Sequence, residues 1–347
     1  KKMRYSRLPN TDIKVSKICL GTMTFGKQNS IDDGFNQMDY ALENGVNFFD
    51  TAELYPVPAS RETQGNTEKI IGSWFEKRKN RNKIILATKI AGPGPYPAHI
   101  RDDLSFSKES LTDAIEKSLL RLKTDYIDLY QLHWPERKTN TFGKRGYVHD
   151  KEEIWKENFE EVLYNLNSFI KDGKIRYIGV SNENPWGIMR FISASKKNLP
   201  KMITIQNPYS LLNRIFEIGN SEICMRENLG LLAYSPLGFG LLTGKYRKNN
   251  LPDGSRLKLF PNLARYSNNK CFEATELYFE LSKKHNLSLT QLSLAFVNDR
   301  PFVTSNIIGA TNLTQLKENI DSINIKLSSE LINEINEIQK LIPNPAP

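Results

Sequence analysis

Eight short apolar runs recur along this chain, at residues 18–20, 46–49, 84–88, 126–132, 175–180, 202–205, 230–233 and 302–308. Their recurrence restricts the fold more than any other feature. Such runs, without polar alternation, read as strands buried on both faces. Patterns with apolar residues three and four apart separate most of them. Residues 35–43 and 67–75 are helical in pattern, and Ser107 supplies a start signal ahead of Ser110, Leu111, Ala114, Ile115, Leu119 and Leu122. A further helix ends near Lys171-Asp172-Gly173. Strand–helix alternation repeated in this way predicts an α/β chain, a (β/α)8 TIM barrel. Residues 3–15, around the turn-rich Leu8-Pro9-Asn10-Thr11, predict a short N-terminal β-hairpin. Residues 328–341 form an amphipathic helix ahead of Pro343-Asn344-Pro345-Ala346-Pro347. No linker or repeat interrupts the pattern, so residues 1–347 are expected to form a single barrel domain. A doubly wound nucleotide fold wants G-x-G-x-x-G between a strand and a helix. The nearest match, Gly238-Phe239-Gly240-Leu241-Leu242-Thr243-Gly244, is one residue too long and follows a late strand.

Composition excludes several classes. No run approaches the ~18 apolar residues of a membrane helix. The opening Lys1-Lys2-Met3-Arg4-Tyr5 lacks a signal-peptide apolar core. Cys19, Cys224 and Cys271 are isolated, and His99, His133, His149 and His285 are scattered. Neither set has metal-ligand spacing, so no metal site is expected. Isolated cysteines favour a reducing compartment, and the cytoplasm is the expected location. The net charge of +9 is compatible with an anionic partner. Its lysines and arginines are spread along the chain in short runs such as Lys77-Arg78-Lys79-Asn80-Arg81, which describes a solvated surface and not a nucleic-acid site.

Chemistry is sited at the carboxyl ends of barrel strands. Asp50 closes the second run and Tyr55 follows on its loop; Lys89 closes the third and His133 the fourth. Each has an ordinary alternative: a cap, a half-buried aromatic, a solvated lysine, a structural histidine. Four titratable residues on one inferred rim, in consecutive units, are harder to explain that way. Their types suit one reaction. A phenol is a poor proton donor at neutral pH. An ammonium beside it favours the phenolate, by ~4 kcal/mol at ~4 Å and an effective dielectric of ~20. Asp50 holds Lys89 charged, and His133 hydrogen-bonds the substrate oxygen or shares in its protonation. Such a site gives a proton to a carbonyl oxygen as it becomes an alkoxide. With no metal or Rossmann loop in view, a nicotinamide is the natural hydride source.

Gly45-Val46-Asn47-Phe48-Phe49-Asp50-Thr51-Ala52-Glu53-Leu54-Tyr55 resembles the first signature of the aldo-keto reductase superfamily. Residues 174–182, 206–214 and 234–238 are similar to later family motifs, so the resemblance spans nearly the whole chain. Within the family, His133-Trp134-Pro135, Thr141-Phe142-Gly143-Lys144 and the closing Pro345-Ala346-Pro347 resemble the bacterial Tas-like branch. The resemblance implies a catalytic tetrad of Tyr55, Lys89, Asp50 and His133, NADPH/NADP+ as cofactor, and a small-molecule carbonyl substrate. It implies nicotinamide contacts from Thr22, Met23, Ser181, Asn182 and Gln206, with Tyr234 stacked on the ring. Ser235, Leu237, Gly238 and Gly240 line the pyrophosphate through backbone amides, with Lys245 nearby. Arg256 reaches the adenosine phosphate, and Gly309, Thr311, Gln315, Glu318 and Asn319 hold the adenosine end. Gln315 stands where many members carry arginine, which passes the 2′-phosphate to Lys245 and Arg256, as in the related potassium-channel β subunits. Met23 and Trp134 are substrate-pocket candidates, and the long loop at 134–151 suggests a lid or binding role. A rival expectation is a nucleotide-sensing regulatory subunit with little turnover; the oligomeric state is left open.

Overall fold

A computed structural model describes residues 2–262 and 265–346; Pro347 of the closing motif lies outside the described residues. Strands β3 (Ile18–Gly21), β4 (Phe48–Asp50), β5 (Ile85–Ile90), β6 (Ile127–Leu132), β7 (Ile175–Ser181), β8 (Met202–Pro208), β9 (Gly230–Tyr234) and β10 (Val303–Ile308) form a closed barrel in that order. Every pairing is parallel, and β10 closes on β3 with Ile307 opposite Cys19. The eight apolar runs are thus the eight barrel strands. Their bounds move by a residue or two: the second begins at Phe48 and ends on Asp50, and Lys89 lies inside β5.

The predicted hairpin is β1 (Tyr5–Arg7) paired antiparallel with β2 (Lys14–Ser16). Leu8 and Val15 are buried with the inward-facing Cys19, Phe48, Ala87, Leu129, Ile203, Leu232 and Ile307. The side chain of Asn10 reaches the carbonyl of Asn228, just ahead of β9. The hairpin therefore closes the amino end of the barrel, and the carboxyl end is the one left for a site.

Helices α1 (Ile31–Glu43), α2 (Asn66–Arg78), α3 (Lys108–Leu122), α4 (Phe159–Lys171), α5 (Pro185–Ser195) and α6 (Asn220–Glu227) follow successive strands. A four-residue turn, α7 (Arg256–Leu259), and two helices, α8 (Asn269–Lys284) and α9 (Leu289–Asn298), precede β10; α10 (Leu313–Asp321) and α11 (Ser329–Leu341) end the chain. The first helix starts earlier than its apolar spacing suggests because Ser30 and Asp33 form a reciprocal capping box. Helices α2 and α3 touch backbone to side: a Cβ on Gly72 would lie 2.1 Å from the carbonyl oxygen of Arg121. No helix among the described residues is long and apolar enough to cross a membrane.

Two long connections lie at the carboxyl end, residues 133–158 and, among the described residues, 235–262 with 265–268. The C-terminal tail is fastened to both and to the loop after β8. Arg145 donates to the carbonyl of Asn344, Asn268 Nδ2 to that of Pro345 at 2.8 Å, and the Ala346 amide to that of Leu212 at 3.1 Å.

Candidate active site

Four of the predicted residues meet at this end. Asp50 is the last residue of β4, and its neighbour on β5 is Ala87, two residues before Lys89, which faces the same side. Lys89 Nζ donates to Asp50 Oδ2 at 2.7 Å, to the carbonyl of Thr51 at 2.8 Å and to Tyr55 Oη at 3.3 Å. Lys89 is wholly buried, whereas Tyr55 is half-buried and reaches the mouth. His133, directly after β6, sets its ring 5.8 Å from that of Tyr55 at an interplanar angle of 78°. The His133 amide is held by the carbonyl of Ile90, and its own carbonyl accepts from Asn182 Nδ2 at 2.9 Å.

The electrostatics turn on burial. Burial raises the Tyr55 phenol; Lys89 pulls it down and Asp50 pushes it up again, so it sits above the ordinary value of 10. Lys89 strengthens the acid as expected, but desolvation of the phenolate outweighs it, so the net shift is upward. Burial likewise pushes the Lys89 ammonium down, but Asp50 and then Tyr55 outweigh it, and Lys89 stays protonated above the ordinary lysine value. His133 is pushed well below 6.5, by burial and then by Lys89, so its imidazole is neutral near pH 7. A neutral imidazole can donate or accept a hydrogen bond. Its Nδ1 is buried without a partner among the described residues.

The other oxygen of Asp50 is also engaged. Oδ1 accepts from Gln206 Nε2 at 2.9 Å and from Gln131 Nε2 at 3.1 Å. Thr22 Oγ1 donates to the Asp50 carbonyl at 2.8 Å. The loop to Tyr55 is fixed by Glu53, a buried carboxylate that accepts from the Ala91 amide and Arg101 Nη1, each at 2.8 Å. Sequence reading missed Gln131, Glu53 and Arg101. For Gln131 a signal existed: an amide inside an apolar strand must find a partner.

The predicted nicotinamide contacts lie around this core. Ser181 Oγ donates to the carbonyl of Gln206 at 2.8 Å. Asn182 has left-handed backbone (φ 52°), and its Oδ1 accepts from Tyr234 Oη at 2.6 Å. Arg265 Nη1 donates to the same Tyr234 hydroxyl. Met23 is half-buried beside Thr22. Trp134 packs 5.0 Å from the His133 ring and 5.7 Å from that of Phe142, with its Nε1 bonded to the carbonyl of Pro93. The loop thus brings a second aromatic, Phe142, half exposed, toward the mouth.

In the loop after β9, Ser235, Gly238, Phe239 and Gly240 have positive φ. The amides of Gly238 and Gly240, expected along the pyrophosphate, close turns onto the carbonyls of Ser235 and Leu237. The loop's geometry instead serves cations. A Cβ on Gly240 would lie 2.7 Å from Lys245 Cε, so that side chain would have to shift, and the φ of +93° itself favours glycine. Arg256 lies 4.7 Å from the Phe239 ring centre. Burial and then Arg256 lower the Lys245 ammonium, and burial lowers Arg256. Neither makes an ion pair within 4.0 Å among the described residues. Two desolvated cations set together without a carboxylate fit an anionic group. At the adenosine end, Gln315 Oε1 is held by the amide of Thr311 at 2.9 Å and Asn319 Nδ2 by the carbonyl of Gly309 at 3.0 Å. Glu318 accepts from Ser288 Oγ at 2.7 Å.

The sequence profile of the Aldo/keto reductase family matches residues 17–340. Protein tas of Escherichia coli (strain K12) is 46% identical over 352 residues, covering 99% of this chain and 100% of its own. YrpG, an uncharacterized oxidoreductase of Bacillus subtilis (strain 168), is 35% identical over 97% of this chain and 96% of its own. Norsolorinic acid reductase A of Aspergillus parasiticus is 28% identical over 95% of this chain and 79% of its own.

Proposed function

The chain belongs to the aldo/keto reductase family, and on that footing we propose that it reduces aldehyde or ketone carbonyls to alcohols with NADPH, Tyr55 giving the proton. The observation that carries the reading is the 3.3 Å contact between the Tyr55 hydroxyl and a buried ammonium that Asp50 keeps charged. A raised phenol is fully loaded with its proton at neutral pH. When that proton passes to a substrate oxygen, negative charge appears on Tyr55 Oη, beside Lys89. The ammonium is already in place, so stabilising the new phenolate requires no reorganisation. Neutral His133 offers a hydrogen bond to the same substrate oxygen and orients it.

Bound NADPH supplies the hydride. Ser181, Asn182, Gln206 and Tyr234 hold its nicotinamide, with Thr22 and Met23 alongside. Ser235 and Leu237 follow the pyrophosphate, Lys245 and Arg256 take the 2′-phosphate, and Gly309, Thr311, Gln315, Glu318 and Asn319 take the adenosine. The paired cations support NADPH over NADH. Trp134, Phe142 and Met23 favour a small carbonyl substrate with an apolar face. Three buried, unpaired cysteines support a reducing compartment, the cytoplasm.

The test is NADPH oxidation against a panel of aldehydes and ketones, with Tyr55→Phe alongside. Wild type should turn over. Tyr55→Phe should lose about 10²–10⁴ in kcat and keep its NADPH affinity, since only the acid is removed. Micromolar NADPH binding with no turnover on any carbonyl would point instead to a nucleotide-sensing subunit.

A further inference from the structure

Gln131 is buried to 0% exposure in the barrel interior, two residues ahead of His133. It is not itself among the predicted substrate or cofactor contacts. Its amide stands between two predicted site residues, Asp50 and Gln206. Gln131 Nε2 donates to Asp50 Oδ1 at 3.1 Å, and Gln131 Oε1 accepts from Gln206 Nε2 at 2.8 Å. Gln206 Nε2 donates its other hydrogen to Asp50 Oδ1 at 2.9 Å.

The triangle admits one arrangement. A carboxylate only accepts, so both amides must turn nitrogen toward Asp50. Turning either amide over would set an amide oxygen against the anion, with no water to separate them. With both hydrogens of Gln206 Nε2 taken, its Oε1 is the amide atom left without a protein partner among the described residues. An oxygen fixed in this way accepts from a primary amide N–H and rejects a group lacking one.

We propose that Gln131 is a positioning residue that locks the Gln206 amide oxygen toward the carboxamide of the nicotinamide, anchoring it to the same carboxylate that holds Lys89. The inference rests on the reading of Gln206 as a nicotinamide contact, and the experiment separates the two. Without Gln131, Gln206 keeps one bond to Asp50 but loses the second that fixes its plane. The cofactor carboxamide then meets an amide free to rotate.

The test measures Kd of the binary complex by protein fluorescence, for NADPH and for its reduced 3-acetylpyridine analogue, which has an acetyl group and no N–H donor. Wild type should bind the analogue about tenfold more weakly, the size of one buried hydrogen bond. In Gln131→Leu, NADPH should weaken about tenfold and the analogue by less than about twofold, so that the discrimination collapses. An equal loss for both cofactors, or none, overturns the proposal. Equal binding of both by wild type removes the Gln206 contact itself, and the inference with it. A second variant guards against misfolding. In Gln131→Glu the introduced carboxyl and Asp50 share a proton at hydrogen-bond distance. While protonated, it donates to Asp50 and accepts from Gln206 as the native amide does. NADPH affinity relative to wild type at the same pH should then be near native at low pH and fall as pH rises and that proton leaves. A ratio of Gln131→Glu to wild-type affinity that does not change with pH overturns the proposal.

Discussion

Asp50→Asn is the substitution whose effect can be worked furthest. The Lys89–Asp50 pair is closed at 2.7 Å, with Lys89 fully buried and Asp50 nearly so. At that distance and an effective dielectric of ~20, the attraction is about 6 kcal/mol. Desolvation of both groups offsets part of it, and removing one partner of such a pair costs roughly 3–5 kcal/mol. In the variant, the amide oxygen can still accept from Gln131 and Gln206 at the Oδ1 position. Its NH₂ then faces Lys89 Nζ, donor against donor. The pH dependence follows from linkage. In wild type the folded pKa of Lys89 is raised, so its stabilisation is complete below the ordinary value of 10.5 and is lost as pH climbs through the folded value. In Asp50→Asn burial acts without a counter-ion, and the folded value drops below 10.5. The variant's penalty is then largest at neutral pH and is relieved as Lys89 sheds its proton. Urea unfolding followed by tryptophan fluorescence, at about pH 7 and about pH 10, reads both. The deficit should be several kcal/mol at the lower pH and smaller at the higher one. A deficit below about 1 kcal/mol, or one that does not change with pH, would refute the assignment of Lys89 as a buried charge held by Asp50.

Two further outcomes are expected. Because His133 is held well below 6.5, kcat/KM should show no limb at pH 6–7 from a titrating histidine; such a limb, absent in His133→Ala, would contradict a neutral imidazole. Lys245→Ala and Arg256→Ala should each weaken NADPH about 10- to 100-fold and leave NADH nearly untouched, measured by fluorescence titration; equal losses for both would move these cations away from the 2′-phosphate.

Much of this was legible in the residues, for a physical reason. Parallel strands covered on both faces are written as apolar runs, so β3 to β10 stood out before any contact was known. Asp50, Lys89 and His133 stood out because each breaks or closes such a run with a titratable group. What did not show was what depends on register and depth. The bonding of Gln131 to Asp50 and Gln206 needs β6, β4 and β8 in place around one axis. Arg101 finds Glu53 across 48 residues of chain, which no local pattern encodes. The net effect on Tyr55 turned on burial, a quantity that spacing does not contain. The glycines at 238 and 240 were legible as a special loop, but not that their amides turn inward.

The tail at residues 344–346 grips the loops after β6, β8 and β9 together, through Arg145, Leu212 and Asn268. Each of those loops carries or adjoins groups proposed to bind substrate or nucleotide. Residues 344–346 therefore act as a buckle whose release frees three straps at once. Substitutions that break these three bonds would tug on ligand affinity while the barrel beneath stayed whole.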